Sequence, residues 1–261
     1  RGSFALDSQM NLYVLCRQYI RVDANTITVS DKGSFILKYD AYGNYLEEIN
    51  LIGDFDISAH VLAIDANDQL IVMAEFYNSL AIGGTIIYSE DASLPDAFLA
   101  KFDNAGNPIW SQNIGSPNGR DYIRDLETDG IGNIYVTGGM SNEAILIKFD
   151  PEGNKLWELP AKYQDIWPTR CKVNARGDVY LAGSFKGSVS MGDYPLYHVD
   201  GPSLFLVKMS PAGEVLWVLQ GSNSTADEYS LFYDISSNPL GELFLVGSTY
   251  TASVTFGQIE L

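Results

Sequence analysis

Apolar and polar positions alternate along most of this chain, in a pattern that returns. The segment AILIKFDPEGNKLWELPA at 144–161 has three relatives: SFILKYDAYGNYLEEINL (34–51), AFLAKFDNAGNPIWSQNI (97–114) and LFLVKMSPAGEVLWVLQG (204–221). A second pattern runs between them as NLYVLC, QLIVMA, NIYVTG, DVYLAG and ELFLVG, anchored at Tyr13, Ile71, Tyr135, Tyr180 and Phe244. Short period-2 runs rich in Val, Ile, Tyr, Phe and Trp predict strands. Each repeat holds four: in the third they are IRDLETD (a), NIYVTGG (b), AILIKFD (c) and KLWELP (d).

The spacing sorts fixed connections from variable ones. From the lysines Lys38, Lys101, Lys148 and Lys208 to the next anchor the steps are 33, 34, 32 and 36 residues. From anchor to following lysine they are 25, 30, 13 and 28, so the variation lies between strands b and c. Insertions collect in surface loops, and this connection is therefore expected to be the exposed, adaptable edge. Between c and d the turn reads Asp-x-x-Gly-Asn at 40–44, 103–107 and 150–154, and becomes Ser-Pro-Ala-Gly-Glu at 210–214. Asp accepts backbone N–H bonds there and Gly supplies positive φ. The turn lacks the alternating carboxylates and distal Glu of an EF-hand, so calcium is a minor alternative at it.

Trp110, Trp157 and Trp217 stand nine residues after their lysines, with Glu47 at that place in the first repeat. A tryptophan recurring at one register of an outer strand is expected to pack between adjacent sheets. Repeated four-stranded sheets without helical periodicity predict an all-β chain, a β-propeller of four-stranded antiparallel blades. The blades fall at about 1–52, 53–115, 116–161 and 162–221, with a partial fifth at 222–261, all in one domain spanning 1–261. That fifth repeat shows no c or d strand, which leads to the expectation of a larger closed propeller in a longer chain.

The pattern Gly-Asn-x-Tyr-Val-x-Gly followed by F-L-x-K-F-D-x-x-G-N-x-x-W resembles the SBBP-type β-propeller repeats of secreted bacterial proteins. The inserts SLAIGG (79–84), SVSMGD (188–193) and SVTFGQ (253–258) match that family's extension between b and c. The first repeat departs from it, with Glu47 for Trp and YIRVDANTITVSDKG in place of the insert, and the third has no insert. The resemblance covers nearly the whole chain. It implies a secreted or cell-surface, outer-membrane-associated module of large exported proteins, including type IX secretion cargo of Bacteroidota.

Sixteen Lys plus Arg against 33 Asp plus Glu give a formal charge of −17, which disfavours nucleic acid and anionic lipid as partners. No apolar run is long enough to span a membrane, and no leader pattern opens at Arg1. Cys16 and Cys171 occupy apolar register positions and are expected as buried free thiols.

No strong catalytic motif is present: there are two histidines, His60 and His198, and no Walker loop, Cys-x-x-Cys or G-x-S-x-G. His60 falls on an a strand as a structural residue. An acid precedes the a strand of the second to fifth repeats, at Asp56, Asp121, Asp165 and Asp227. These acids are expected to fix the d-to-a turns; the alternative is a carboxylate ring at a channel mouth holding a cation such as calcium, or a basic peptide. In or beside the inserts, Tyr77, Tyr88, Asp193, Tyr194, Tyr197 and His198 form a candidate recognition surface. The chain is accordingly expected to be a non-catalytic module binding protein or glycan, without a cofactor. Alternatives are a metal-dependent lactonase- or lyase-like enzyme and a purely architectural spacer.

Overall fold

The computed structural model describes residues 3–17, 21–23, 26–28, 34–53, 58–82, 84–91, 93–115, 121–140, 143–160, 165–223, 231–238, 241–248, 254–256 and 259–260. The described elements are all strands. The first repeat supplies β1 (Phe4–Leu6), β2 (Leu12–Arg17), the small hairpin β3 (Arg21–Asp23) and β4 (Thr26–Thr28), then β5 (Ser34–Tyr39) and β6 (Tyr45–Gly53). The second supplies β7 (Ser58–Ile64), β8 (Leu70–Phe76), the hairpin β9 (Ser79–Ile82) and β10 (Thr85–Tyr88), then β11 (Asp96–Phe102) and β12 (Pro108–Asn113). The third comprises β13 (Tyr122–Thr128), β14 (Ile134–Met140), β15 (Glu143–Phe149) and β16 (Lys155–Pro160). In the fourth come β17 (Ile166–Val173), β18 (Val179–Met191), β19 (Tyr194–Met209) and β20 (Val215–Asn223). The fifth holds β21 (Leu231–Ser237), β22 (Leu243–Ser248), β23 (Val254–Phe256) and β24 (Ile259–Glu260).

Strands a, b, c and d lie side by side in that order in each of the first four repeats, as in β13-β14-β15-β16. The chain forms two compact units, Arg1–Leu126 and Glu127–Leu261. In the first unit Tyr13, Leu15, Ile36, Leu70, Phe76 and Phe98 share one buried cluster. In the second, Tyr135, Leu146, Leu181, Phe185 and Phe205 share another. Strands buried on both faces read as near-continuous apolar runs, which is why the c strands lack strict alternation.

Register joins the two sequence patterns. Tyr13 pairs with Lys38, Ile71 with Lys101, Tyr135 with Lys148 and Tyr180 with Lys208. Each lysine pairs in turn with Glu47, Trp110, Trp157 or Trp217 on strand d. Lys38, Lys148 and Lys208 lie 5.0, 5.1 and 5.5 Å from the centres of the Tyr13, Tyr135 and Tyr180 rings, within cation–π range.

The turns behave as their composition dictates. Asp40 Oδ1 accepts from the backbone N–H of Tyr42 and of Asn44, and Asp103 and Asp150 do the same in their turns. These turns also lie against the preceding repeat. Lys38 Nζ donates to Asn104 O at 2.5 Å, and Lys148 Nζ and Trp157 Nε1 both donate to Pro211 O at 3.1 Å. Trp157 therefore packs between adjacent sheets, as its register predicts. Trp217 does likewise, packed against the cluster of Tyr180, Leu206, Phe232 and Ile235.

Two expectations need correction. The b–c insert of the second repeat is no loose edge: Leu80, Ile82 and Ile87 are buried, and β9 pairs with β6 through Ile52↔Ala81 and Gly53↔Leu80. β23 pairs with β20 in the same way. An unpaired outer strand exposes a row of N–H and C=O groups, and these inserts pair with its last two or three residues. Cys171 is buried and free as expected, whereas Cys16 is only half-buried, its thiol pushed up by desolvation and by Glu48.

Candidate functional site

The insert hairpins present the side chains that sequence singled out. In the second repeat the chain leaves β8 at Asn78, whose φ of 60° is one that asparagine tolerates better than most residues. Ser89 N–H donates to Asn78 O at 2.9 Å and closes the hairpin's base. On β10, Ile87 points into the core while Ile86 and Tyr88 face outward at 55% and 67% exposure. In the fourth repeat the hairpin is a continuation of β18 and β19, pairing Ser188↔Tyr197 through Met191↔Tyr194. Its turn is Gly192-Asp193, with Gly192 at φ 57°. Val189, Met191 and Leu196 are buried, and Tyr197 is 62% exposed.

Tyr88 and Tyr197 thus hold the same place on two hairpins, each following a buried aliphatic residue. Both are steadied from the neighbouring d strand. Asn113 Nδ2 donates to Tyr88 O at 3.1 Å and to Asp96 Oδ2 at 2.9 Å, and Asp96 also accepts from Glu90 N–H at 2.7 Å. Gln220 holds Tyr197 at both backbone groups, donating to its O at 2.9 Å and accepting from its N–H at 3.2 Å. Tyr194 is spent on the fold, its hydroxyl donating to Leu216 O at 2.7 Å. Tyr77 is half-buried and Asp193 exposed. His198 lies in β19 and His60 in β7, and both side chains fall outside the described residues. Sequence reasoning missed Asn113 and Gln220; only their place on a d strand beside an insert would have marked them.

Of the acids preceding the a strands, Asp56 and Asp227 lie outside the described residues. Asp121 is buried, near Gly115, where a Cβ would approach Asp121 Oδ2 to 2.6 Å. Asp165 is exposed, and its backbone O accepts from Lys186 N–H at 2.9 Å. Among the described residues no three His, Cys, Asp or Glu side chains converge as metal ligands. A carboxylate that sequence did not mark, Glu127, pairs with Lys172 at 2.8 Å. Burial pushes its carboxyl up against the pull of Lys172. Among the described residues no helix is long and apolar enough to cross a membrane.

No protein-family profile matches the chain. It is 26% identical over 142 residues to an uncharacterised WD-repeat-containing protein of Acanthamoeba polyphaga mimivirus, covering 49% of this chain and 10% of that protein. A crystal structure of a protein from Lactobacillus plantarum aligns with 97% of this chain and 65% of its own at a TM-score of 0.56 and 13% identity. A protein of unknown function from Bacteroides caccae aligns over 84% of this chain and 80% of its own, at a TM-score of 0.43 and 11% identity. The chain therefore spans a tenth of the curated relative and about two thirds of the Lactobacillus structure. With repeated four-stranded antiparallel sheets and a WD-repeat relative, the fold is a β-propeller built from propeller-type repeats.

Proposed function

We propose that this chain is a non-catalytic propeller module that binds a protein partner through its insert hairpins. The observation that carries this reading is the recurrence of an exposed tyrosine, Tyr88 and Tyr197, at one position of two hairpins whose backbones are held by d-strand amides. Tyrosine supplies contact area at low entropy cost, and a rigid mount lowers the ordering cost further. The WD-repeat relative supports an interaction role by analogy of fold, which is a weaker warrant than the site itself. Placement on a secreted or cell-surface protein of the SBBP type rests on the repeat motif alone, and glycan is the second partner class to test.

The test immobilises the whole chain and the double variant Tyr88→Ser/Tyr197→Ser, then probes both with an outer-surface protein fraction and a glycan array. A protein captured saturably by the native chain should bind the variant about 30-fold more weakly, the loss of roughly 2 kcal/mol expected of a tyrosine hot spot. Equal capture by both, or binding to glycans alone, removes the proposal.

A further inference from the structure

The second repeat holds all four of its strands, and its insert is seated on β6 of the first. One face of β9 and β10 is therefore committed to the fold, with Leu80, Ile82 and Ile87 buried beneath it. Paired residues of antiparallel strands point to one side, so Ile86↔Ala81 and Tyr88↔Ser79 compose the opposite face. Ile86 and Tyr88 are more than half exposed there, and Ala81 is exposed beside them. Two exposed carboxylates, Glu90 and Asp91, follow Tyr88 at once as the chain leaves the hairpin.

The loop that carries these carboxylates is fixed by its own hydrogen bonds. Glu90 N–H donates to Asp96 Oδ2 at 2.7 Å, while Asp91 Oδ1 accepts from Ser93 N–H at 2.8 Å and from the Ser93 hydroxyl at 2.6 Å. Leu94 N–H donates to Asp91 O at 3.0 Å. The bonds from Ser93 hold the Asp91 carboxyl below its ordinary range, so it stays charged. From Tyr77 to Ala100 the sequence has three acids and no lysine or arginine, in a chain of net charge −17. The lysines on either side of that stretch, Lys38 and Lys101, are buried and paired with Glu47 and Asp65.

We propose that this outward face docks a basic segment of a partner protein, with an arginine stacked on the Tyr88 ring and paired with the Glu90 and Asp91 carboxylates, and an apolar residue beside it covering Ile86. A guanidinium suits the face better than an ammonium, because it stacks flat on a ring while its fork of N–H groups reaches carboxylates. The apolar residue supplies burial, and the charge supplies steering and selects against acidic surfaces. This docking rests on the insert hairpins being binding elements, as proposed above, and gives their partner at the second repeat its chemistry.

The probes are fluorescent peptides of alternating arginine and leucine and of alternating glutamate and leucine, added to the full chain at about 150 mM salt and followed by anisotropy. The arginine peptide should bind saturably at one site, slow amide exchange across Thr85–Tyr88 and outbind the glutamate peptide. The Tyr88→Ser chain should bind it about fivefold more weakly, and the Glu90→Gln/Asp91→Asn chain about tenfold, since asparagine still accepts from Ser93 and keeps the loop. The Glu152→Gln/Glu214→Gln chain loses the same charge at exposed turns of other repeats and should bind as the native does. Equal losses in the two carboxamide chains overturn the proposal, by tracing the attraction to net charge alone. A loss in Tyr88→Ser with none in Glu90→Gln/Asp91→Asn also overturns it, yet leaves tyrosine-mediated protein binding standing. Unchanged affinity in Tyr88→Ser takes the arginine off the ring and overturns it too. So does the absence of saturable binding, whereas saturable capture of a surface protein by the native chain and not by Tyr88→Ser/Tyr197→Ser would still uphold the broader binding role.

Discussion

At the scale of single residues, one lysine per repeat serves as a cross-strand hub, and its partner changes with the anchor. Where the anchor is tyrosine, the ammonium lies over a ring. In the second repeat the anchor is Ile71, and Lys101 pairs instead with Asp65 at 2.9 Å, both side chains almost fully buried. Asp65 Oδ1 meanwhile accepts from the N–H groups of Asn67 and Gln69. Removing one member of a buried pair leaves an uncompensated charge, so Lys101→Ala should cost about 3–5 kcal/mol in urea unfolding. The double variant Lys101→Met/Asp65→Asn should recover most of that loss, because asparagine still accepts the turn amides. A Lys101→Ala chain within 1 kcal/mol of the native would show that the pair is not desolvated as described. The lysine itself was visible in the sequence as an invariant of the repeat. Its choice of partner was not, because Asp65 lies 36 residues earlier in the chain, at the turn before β8.

Among the elements, the c–d turn does more than reverse the chain. Gly213 has φ 88°, and a Cβ there would approach Trp157 Cδ2 to 2.8 Å. Gly106 stands in the same relation to Ile49, at 2.8 Å from its Cγ1. Glycine is required twice over at such a place, once for its backbone and once for the side chain beneath it. Gly43 has a comparable φ of 83° but open space around it. Gly43→Ala should therefore cost about 1–2 kcal/mol, the strain of the left-handed conformation. Gly213→Ala should cost more, by about 1–3 kcal/mol of overpacking, and should shift Trp157 fluorescence. Equal losses would mean that Trp157 yields without strain. The Asp-x-x-Gly-Asn motif declared the turn from sequence; that the turn seats on the preceding repeat's outer strand could not be read from local chemistry.

For the molecule as a whole, acid stability follows from the turns and the charge together. Hydrogen bonds from Asn44 hold the Asp40 carboxyl below its ordinary range, those from Asn107 do so for Asp103, and Lys208 for Asp178. A carboxyl lowered in the folded state binds fewer protons than in the unfolded chain, so its contribution is present above the ordinary carboxylate pKa and lost as pH falls through the folded one. Falling pH also relieves the repulsion of a chain with net charge −17, down to the isoelectric region near 4.3. The urea midpoint should accordingly hold or rise from pH 7 to about 5 and fall below about 4. A midpoint still rising at pH 3 would show that the turn carboxylates contribute nothing.

By itself the sequence determined the repeat, its four strands, their turns and the propeller class, because alternation and Asp/Gly turn chemistry act within a few residues of one another. It also named Tyr88 and Tyr197, though not their rigid mounting by Asn113 and Gln220. That the inserts of the second and fifth repeats pair with the ends of the preceding outer strands, and that Glu127 meets Lys172, came from the tertiary structure. Each of these depends on which edges and faces come together across tens of residues, and main-chain hydrogen bonding is available to any strand of suitable register.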